Sequence, residues 1–74
     1  MSAATTKQIE TLNSLVNEIN AIKAKNSANY SIKRALYGVE TMVEKARKSG
    51  DKALYSSAIG MLIRRKKFVQ NYVR

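Results

Sequence analysis

Residues 39–63 read VETMVEKARKSGDKALYSSAIGMLI, and the tripeptide Ser49-Gly50-Asp51 near their centre decides the fold. Before it, Val39, Met42, Val43 and Ala46 recur at intervals of three and four. After it, Leu54, Tyr55, Ala58, Ile59, Met61, Leu62 and Ile63 do the same over a broader face. Such spacing lines side chains along one stripe of an α-helix. Between the stripes, Gly50 suits the left-handed position that ends a helix, and Asp51 suits the cap of the next one. Two helices joined by so short a link must turn back on each other. The stretch therefore predicts an antiparallel helical hairpin.

Toward the N-terminus the first stripe continues through Leu36, Ala35 and Ile32, which extends that helix over about residues 30–48. Residues 25–29, Lys-Asn-Ser-Ala-Asn, carry short polar side chains that compete with helix hydrogen bonds, and Ser27 or Asn29 can cap the helix that begins near residue 30. Upstream, Ile9, Leu12, Leu15, Val16, Ile19 and Ile22 mark a further helix over about 5–25. Thr5 with Gln8 matches a capping box, in which a hydroxyl and an amide satisfy orphan backbone N–H groups. The last helix is expected over about 52–72. The expected fold is all-α: a small three-helix bundle in one domain over residues 1–74, with 1–4 disordered.

Near its end, the last helix carries Arg64-Arg65-Lys66-Lys67, a little more than one turn, so the four cations point in every direction. Arg65 or Lys66 falls on the apolar stripe between Leu62 and Val69 and must reach outward along a packed stem. The core is therefore expected to end near Leu62 or Ile63. Phe68, Val69, Tyr72 and Val73 would then form a second apolar patch. Arg34-Ala35-Leu36-Tyr37 is echoed by Lys52-Ala53-Leu54-Tyr55, a match too short to be a repeat.

Charge is distributed unevenly along these helices. The chain has a formal net charge of +9, yet residues 1–22 hold one base, Lys7, against Glu10 and Glu18. The other thirteen bases follow, opposed by Glu40, Glu44 and Asp51 alone. A one-signed field of this kind concentrates and steers ligands of opposite charge. No apolar run reaches the ~18–20 residues of a membrane span, and the N-terminal residues lack the basic start and apolar stretch of a secretory signal. A cytoplasmic protein is the expectation.

The residue inventory narrows the chemistry. Without His or Cys, the usual nucleophile–base pairs and the His or Cys ligands of zinc sites are missing. Glu40 and Glu44 share a helix face at i and i+4, but among so many cations they read as a salt-bridged surface. Gly38, Gly50 and Gly60 are isolated and form no phosphate-binding loop. No enzymatic activity, cofactor or metal is expected.

Anion binding asks only for cations within reach of phosphate oxygens. The candidates are Lys45, Arg47, Lys48 and Lys52 around the hairpin turn, and Arg64, Arg65, Lys66, Lys67 and Arg74 on the last helix. Counting back an equal distance from Gly50 places Lys33 and Arg34 opposite residues 64–67, giving one six-cation surface. Tyr30, Tyr37 and Phe68 stand where they can stack on bases, although aromatics in so small a chain more commonly close the core. The leading expectation is a small basic DNA- or RNA-binding accessory protein that grips the phosphate backbone with little base specificity. The alternative is an interaction module (adaptor, inhibitor or accessory subunit) for an acidic protein partner. A homo-oligomer is compatible with both, and membrane binding ranks last because the cations interrupt the apolar side of the last helix.

Overall fold

The computed structural model describes residues 2–71, so Met1, Tyr72, Val73 and Arg74 lie outside the described residues. The elements are α1 (Thr6–Lys25), α2 (Tyr30–Ala35), α3 (Val39–Ser49) and α4 (Lys52–Gln70). They form the expected all-α bundle, with α1, α3 and α4 as its three rods and α3–α4 as its antiparallel hairpin. α4 is the shared partner, packing against each of the other three helices. Cross-links fix the directions. Gln8 of α1 reaches the Lys52 carbonyl and Glu18 pairs with Lys66, so α1 and α4 run parallel. Asn13 meets Arg47 while Lys23 meets Glu40, so α3 runs antiparallel to α1.

The helix ends obey the local chemistry of the sequence. The Thr5 hydroxyl accepts from the Gln8 N–H at 3.1 Å, and the Gln8 side chain accepts from the Thr5 N–H at 3.0 Å. Asn26 ends α1 by donating its side-chain amide to the Ile22 carbonyl at 2.8 Å. Asn29, one of the two expected caps, accepts from the Ile32 N–H. At the hairpin, Gly50 is left-handed with φ 64°, and Asp51 accepts from the Leu54 N–H at 3.3 Å. The caps at Thr5, Asn29 and Asp51 each satisfy an N–H that the helix leaves without a partner and contribute about 1 kcal/mol, while Asn26 and Gly50 satisfy carbonyls at the other ends.

One expected helix is interrupted. The stripe predicts a single rod over residues 30–48, but Leu36-Tyr37-Gly38 makes a turn in which Gly38 adopts φ 85°. The apolar stripe does not register the break, because Leu36 and Val39 face inward on both sides of it. Glycine does: it takes the left-handed region freely and weakens a helix interior by about 0.5–1 kcal/mol relative to alanine. As a result α2 becomes a separate short segment that buries Ile32 and Ala35.

The core consists of Leu12 and Ile19 from α1, Ile32, Ala35, Leu36 and Val39 on either side of the turn, Val43 and Ala46 from α3, and Tyr55, Ala58, Leu62 and Val69 from α4. Val69 corrects the expectation of a loose tail, since it is 0% exposed and belongs to this core. Lys66 makes the extension possible. Being only partly exposed, it lies along the stripe between Leu62 and Val69 and sends its ammonium out to Glu18. At the other end, Ser2, Ala3 and Ala4 lie against the hairpin turn, and Met1, the remaining residue of the stretch expected to be disordered, lies outside the described residues. The Ala4 N–H donates to the Gly50 carbonyl at 2.9 Å, and the Lys52 N–H donates to the Ser2 carbonyl at 2.8 Å.

Candidate nucleic-acid interface

The direction of the rods gives the bundle, about 40 Å long, two unlike ends. The turn end holds Gly50, the first turns of α1 and α4 and the tethered N-terminal residues. The opposite end gathers the last turn of α1, all of α2, the start of α3 and the final turns of α4. Lys52 and Arg65 are thirteen residues apart on α4, about 20 Å at ~1.5 Å per residue. The expected cations therefore divide between the ends.

At the turn end, two of the four have engaged charged groups, Arg47 and Lys48. The Arg47 guanidinium donates to the Asn13 side-chain oxygen at 2.7 Å, and Lys48 pairs with Glu44 at 3.2 Å. Lys52 gives its backbone carbonyl to Gln8 and its N–H to Ser2, while Lys45 is exposed on α3. These residues do not line a common depression with the other candidates.

The opposite end is different. Lys33, Arg34 and Arg65 line one open groove of about 610 Å³ together with Tyr30 and Tyr37. Arg65 also borders a second depression with Arg64, Met61 and Phe68, so it is common to both. The hairpin count sets Lys33 and Arg34 beside residues 64–67, and the groove brings them to Arg65. Lys66 goes elsewhere, toward Glu18 on α1. Among the described residues, Lys33, Arg34, Arg64, Arg65 and Lys67 form no ion pair. Two carboxylates on the neighbouring helices, Glu18 and Glu40, are paired with Lys66 and Lys23. Arg74 lies outside the described residues.

Both tyrosines differ from the common expectation for a small core. Tyr30 is 71% and Tyr37 86% exposed, whereas Tyr55 is 6% exposed and forms part of the core. The sequence carried a signal for Tyr37, which falls off the apolar stripe on the side of Lys33 and Arg34. It carried less for Met61, which counts as a core residue by spacing yet borders the second depression. Phe68 is 48% exposed beside it. Lys23 and Lys25 were not among the expected cations; they belong to this end because α1 finishes here.

Elsewhere, Val16, Ile19, Val39 and Val43 floor a cleft of about 510 Å³ between α1 and α3, rimmed by the Lys23–Glu40 pair. Among the described residues, no group of Asp and Glu side chains is placed to hold a metal ion. None of the described helices is long and apolar enough to cross a membrane. Comparison with protein-family models, with curated proteins and with solved structures finds no match to this chain.

Proposed function

We propose that this chain is a small nucleic-acid-binding protein that holds phosphates at the α2–α4 end, with little base discrimination. The observation that supports this reading is the set of Lys33, Arg34, Arg64 and Arg65, without ion pairs among the described residues, around two depressions that share Arg65. Like charges held together without carboxylates oppose compaction, and a polyanion relieves that repulsion. Arginine adds a planar fork of donors that matches phosphate oxygens. Lys45, Arg47, Lys48 and Lys52, which the sequence offers equally, contribute background field at the turn end and are not the primary grip.

Backbone binding of this type releases counter-ions, so affinity falls with salt in proportion to the phosphates neutralised. Four cations correspond to a slope of log K against log salt of about −3 on a single strand, at roughly −0.7 per phosphate. Titration of the purified protein with oligothymidine, oligouridine and a duplex across a salt series tests the reading. Binding with that steep dependence supports it. Undetectable binding to all three at low ionic strength overturns it.

The second reading, a module for an acidic protein partner, draws on the apolar floor of the α1–α3 cleft. Its expected anchor at residues 68, 69, 72 and 73 is weakened, because Val69 is committed to the core. A stoichiometric acidic protein that stays bound through nuclease treatment, and is lost when Val16 and Val43 are changed to Ser, favours it.

A further inference from the structure

We infer that the groove between α2 and α4 selects single-stranded nucleic acid, its tyrosines stacking on unpaired bases while Lys33, Arg34 and Arg65 hold the adjoining phosphates. This rests on the nucleic-acid reading above and names its ligand class. Three observations support it. The first is the exposure of Tyr30 and Tyr37 in a chain that packs Tyr55 into its core. An isolated exposed apolar residue needs no explanation, but two aromatics flanking the same three cations make a composite surface.

The second is the shape of the surface. Duplex DNA is read by an element that protrudes, such as a helix entering the ~12 Å major groove. Here the cations surround a concavity of about 610 Å³, within the ~300–1,000 Å³ of small-ligand clefts. α2 has six residues, and its Ile32 and Ala35 are buried, so it does not stand out as a reading helix. A flexible strand can enter such a depression; a stacked duplex offers it phosphates but no base faces.

The third is how Tyr37 is displayed. The helix break at Gly38 leaves Tyr37 in a turn whose N–H donates to the Arg34 carbonyl at 3.2 Å. That bond fixes the backbone of Tyr37 to that of Arg34, and both side chains line the same groove. Base–aromatic stacking tolerates any sequence, because every base has a π-face, and this agrees with binding of low base discrimination.

The test measures affinity by fluorescence anisotropy for oligothymidine, oligouridine and a duplex of equal phosphate number at one salt concentration. The proteins compared are the wild type, the Tyr30→Ala/Tyr37→Ala variant and the Tyr30→Phe/Tyr37→Phe variant. The wild type is expected to bind at least one of the single strands at least about tenfold more tightly than the duplex. The alanine variant should lose about fivefold or more per tyrosine on that strand, with an unchanged salt slope and an unchanged duplex affinity. The phenylalanine variant should restore the single-strand affinity. The two single-stranded probes show whether the strand is DNA or RNA, and a preference for either supports the inference. Equal binding to strands and duplex, or alanine variants that bind single strands as the wild type does, overturns the inference and leaves the broader reading intact. Failure to bind all three probes at low salt overturns both. Both tyrosines are largely exposed, so circular dichroism should show the variants folded.

Discussion

The two ends of the bundle both carry cations but surround them differently. At the turn end, Arg47 is bonded to Asn13 and Lys48 to Glu44, while the ammoniums of Lys45 and Lys52 form no ion pair among the described residues. At the α2–α4 end, Lys33, Arg34, Arg64 and Arg65 border open depressions without carboxylate partners among the described residues. A cation engaged within the fold is explained by the fold. Cations left unmatched beside exposed aromatics are the feature on which the proposed binding rests. The contrast locates the candidate site more narrowly than net charge can.

Leu62→Ala has the largest expected effect, because α4 serves both ends and Leu62 is fully buried in it. Truncating such a residue costs about 2–5 kcal/mol, comparable to the ~3–5 kcal/mol that a core of this size supplies. Thermal or urea unfolding should show both ends lost together. Survival of the turn end alone would mean that the ends do not share one core.

Gly38→Ala and Gly50→Ala come next. Each places a Cβ on a left-handed residue, at about 1–2 kcal/mol, although neither Cβ would meet an atom within 4 Å. Similar losses of stability are expected, but only Gly38→Ala should also weaken binding to single strands, because Tyr37 adjoins it. Gly60→Ala should move stability the other way. Gly60 lies inside α4, where a Cβ would make an ordinary 3.5 Å contact with the Arg64 guanidinium, so a gain of about 0.5–1 kcal/mol is expected in the same unfolding measurement.

The smallest effect on stability belongs to Glu18→Gln. Its pair with Lys66 is partly exposed, with side chains 48% and 31% accessible, and such pairs contribute about 0–1 kcal/mol. Its informative readout is binding. Release of Lys66 adds a cation to the α2–α4 end, and the salt slope on a single strand should steepen by up to about 0.7. An unchanged slope would show that Lys66 cannot reach the bound strand.

Much of this arrangement is legible in the sequence, because its strongest signals are local. The capping box at Thr5 and Gln8, the caps at Asn29 and Asp51, and the left-handed Gly50 each depend on residues within a turn of one another. Of the cations that the hairpin count sets opposite Lys33 and Arg34, Arg65 shares their groove and Lys66 turns to Glu18. What the sequence conceals depends on choices between equal periodicities. The stripe from Ile32 to Ala46 looks the same with or without a turn at Gly38, since Leu36 and Val39 stay inward in both cases. The four-cation run reads as the end of the core, but one long side chain, Lys66, spans the gap to Glu18 and lets Val69 rejoin it. Tyr37 and Tyr55 occupy matching places in the short echo, yet one is exposed and the other buried, because only tertiary position distinguishes them.

The most direct test of the contrast between the ends removes three cations from each in turn and compares salt slopes on oligothymidine and oligouridine. Lys33→Ser/Arg34→Ser/Arg65→Ser is predicted to weaken binding and flatten the slope by about two units, at roughly 0.7 per phosphate. Arg47→Ser/Lys48→Ser/Lys52→Ser is predicted to leave the slope close to that of the wild type. Equal losses from the two triple variants, or a larger loss from the turn end, would contradict the account.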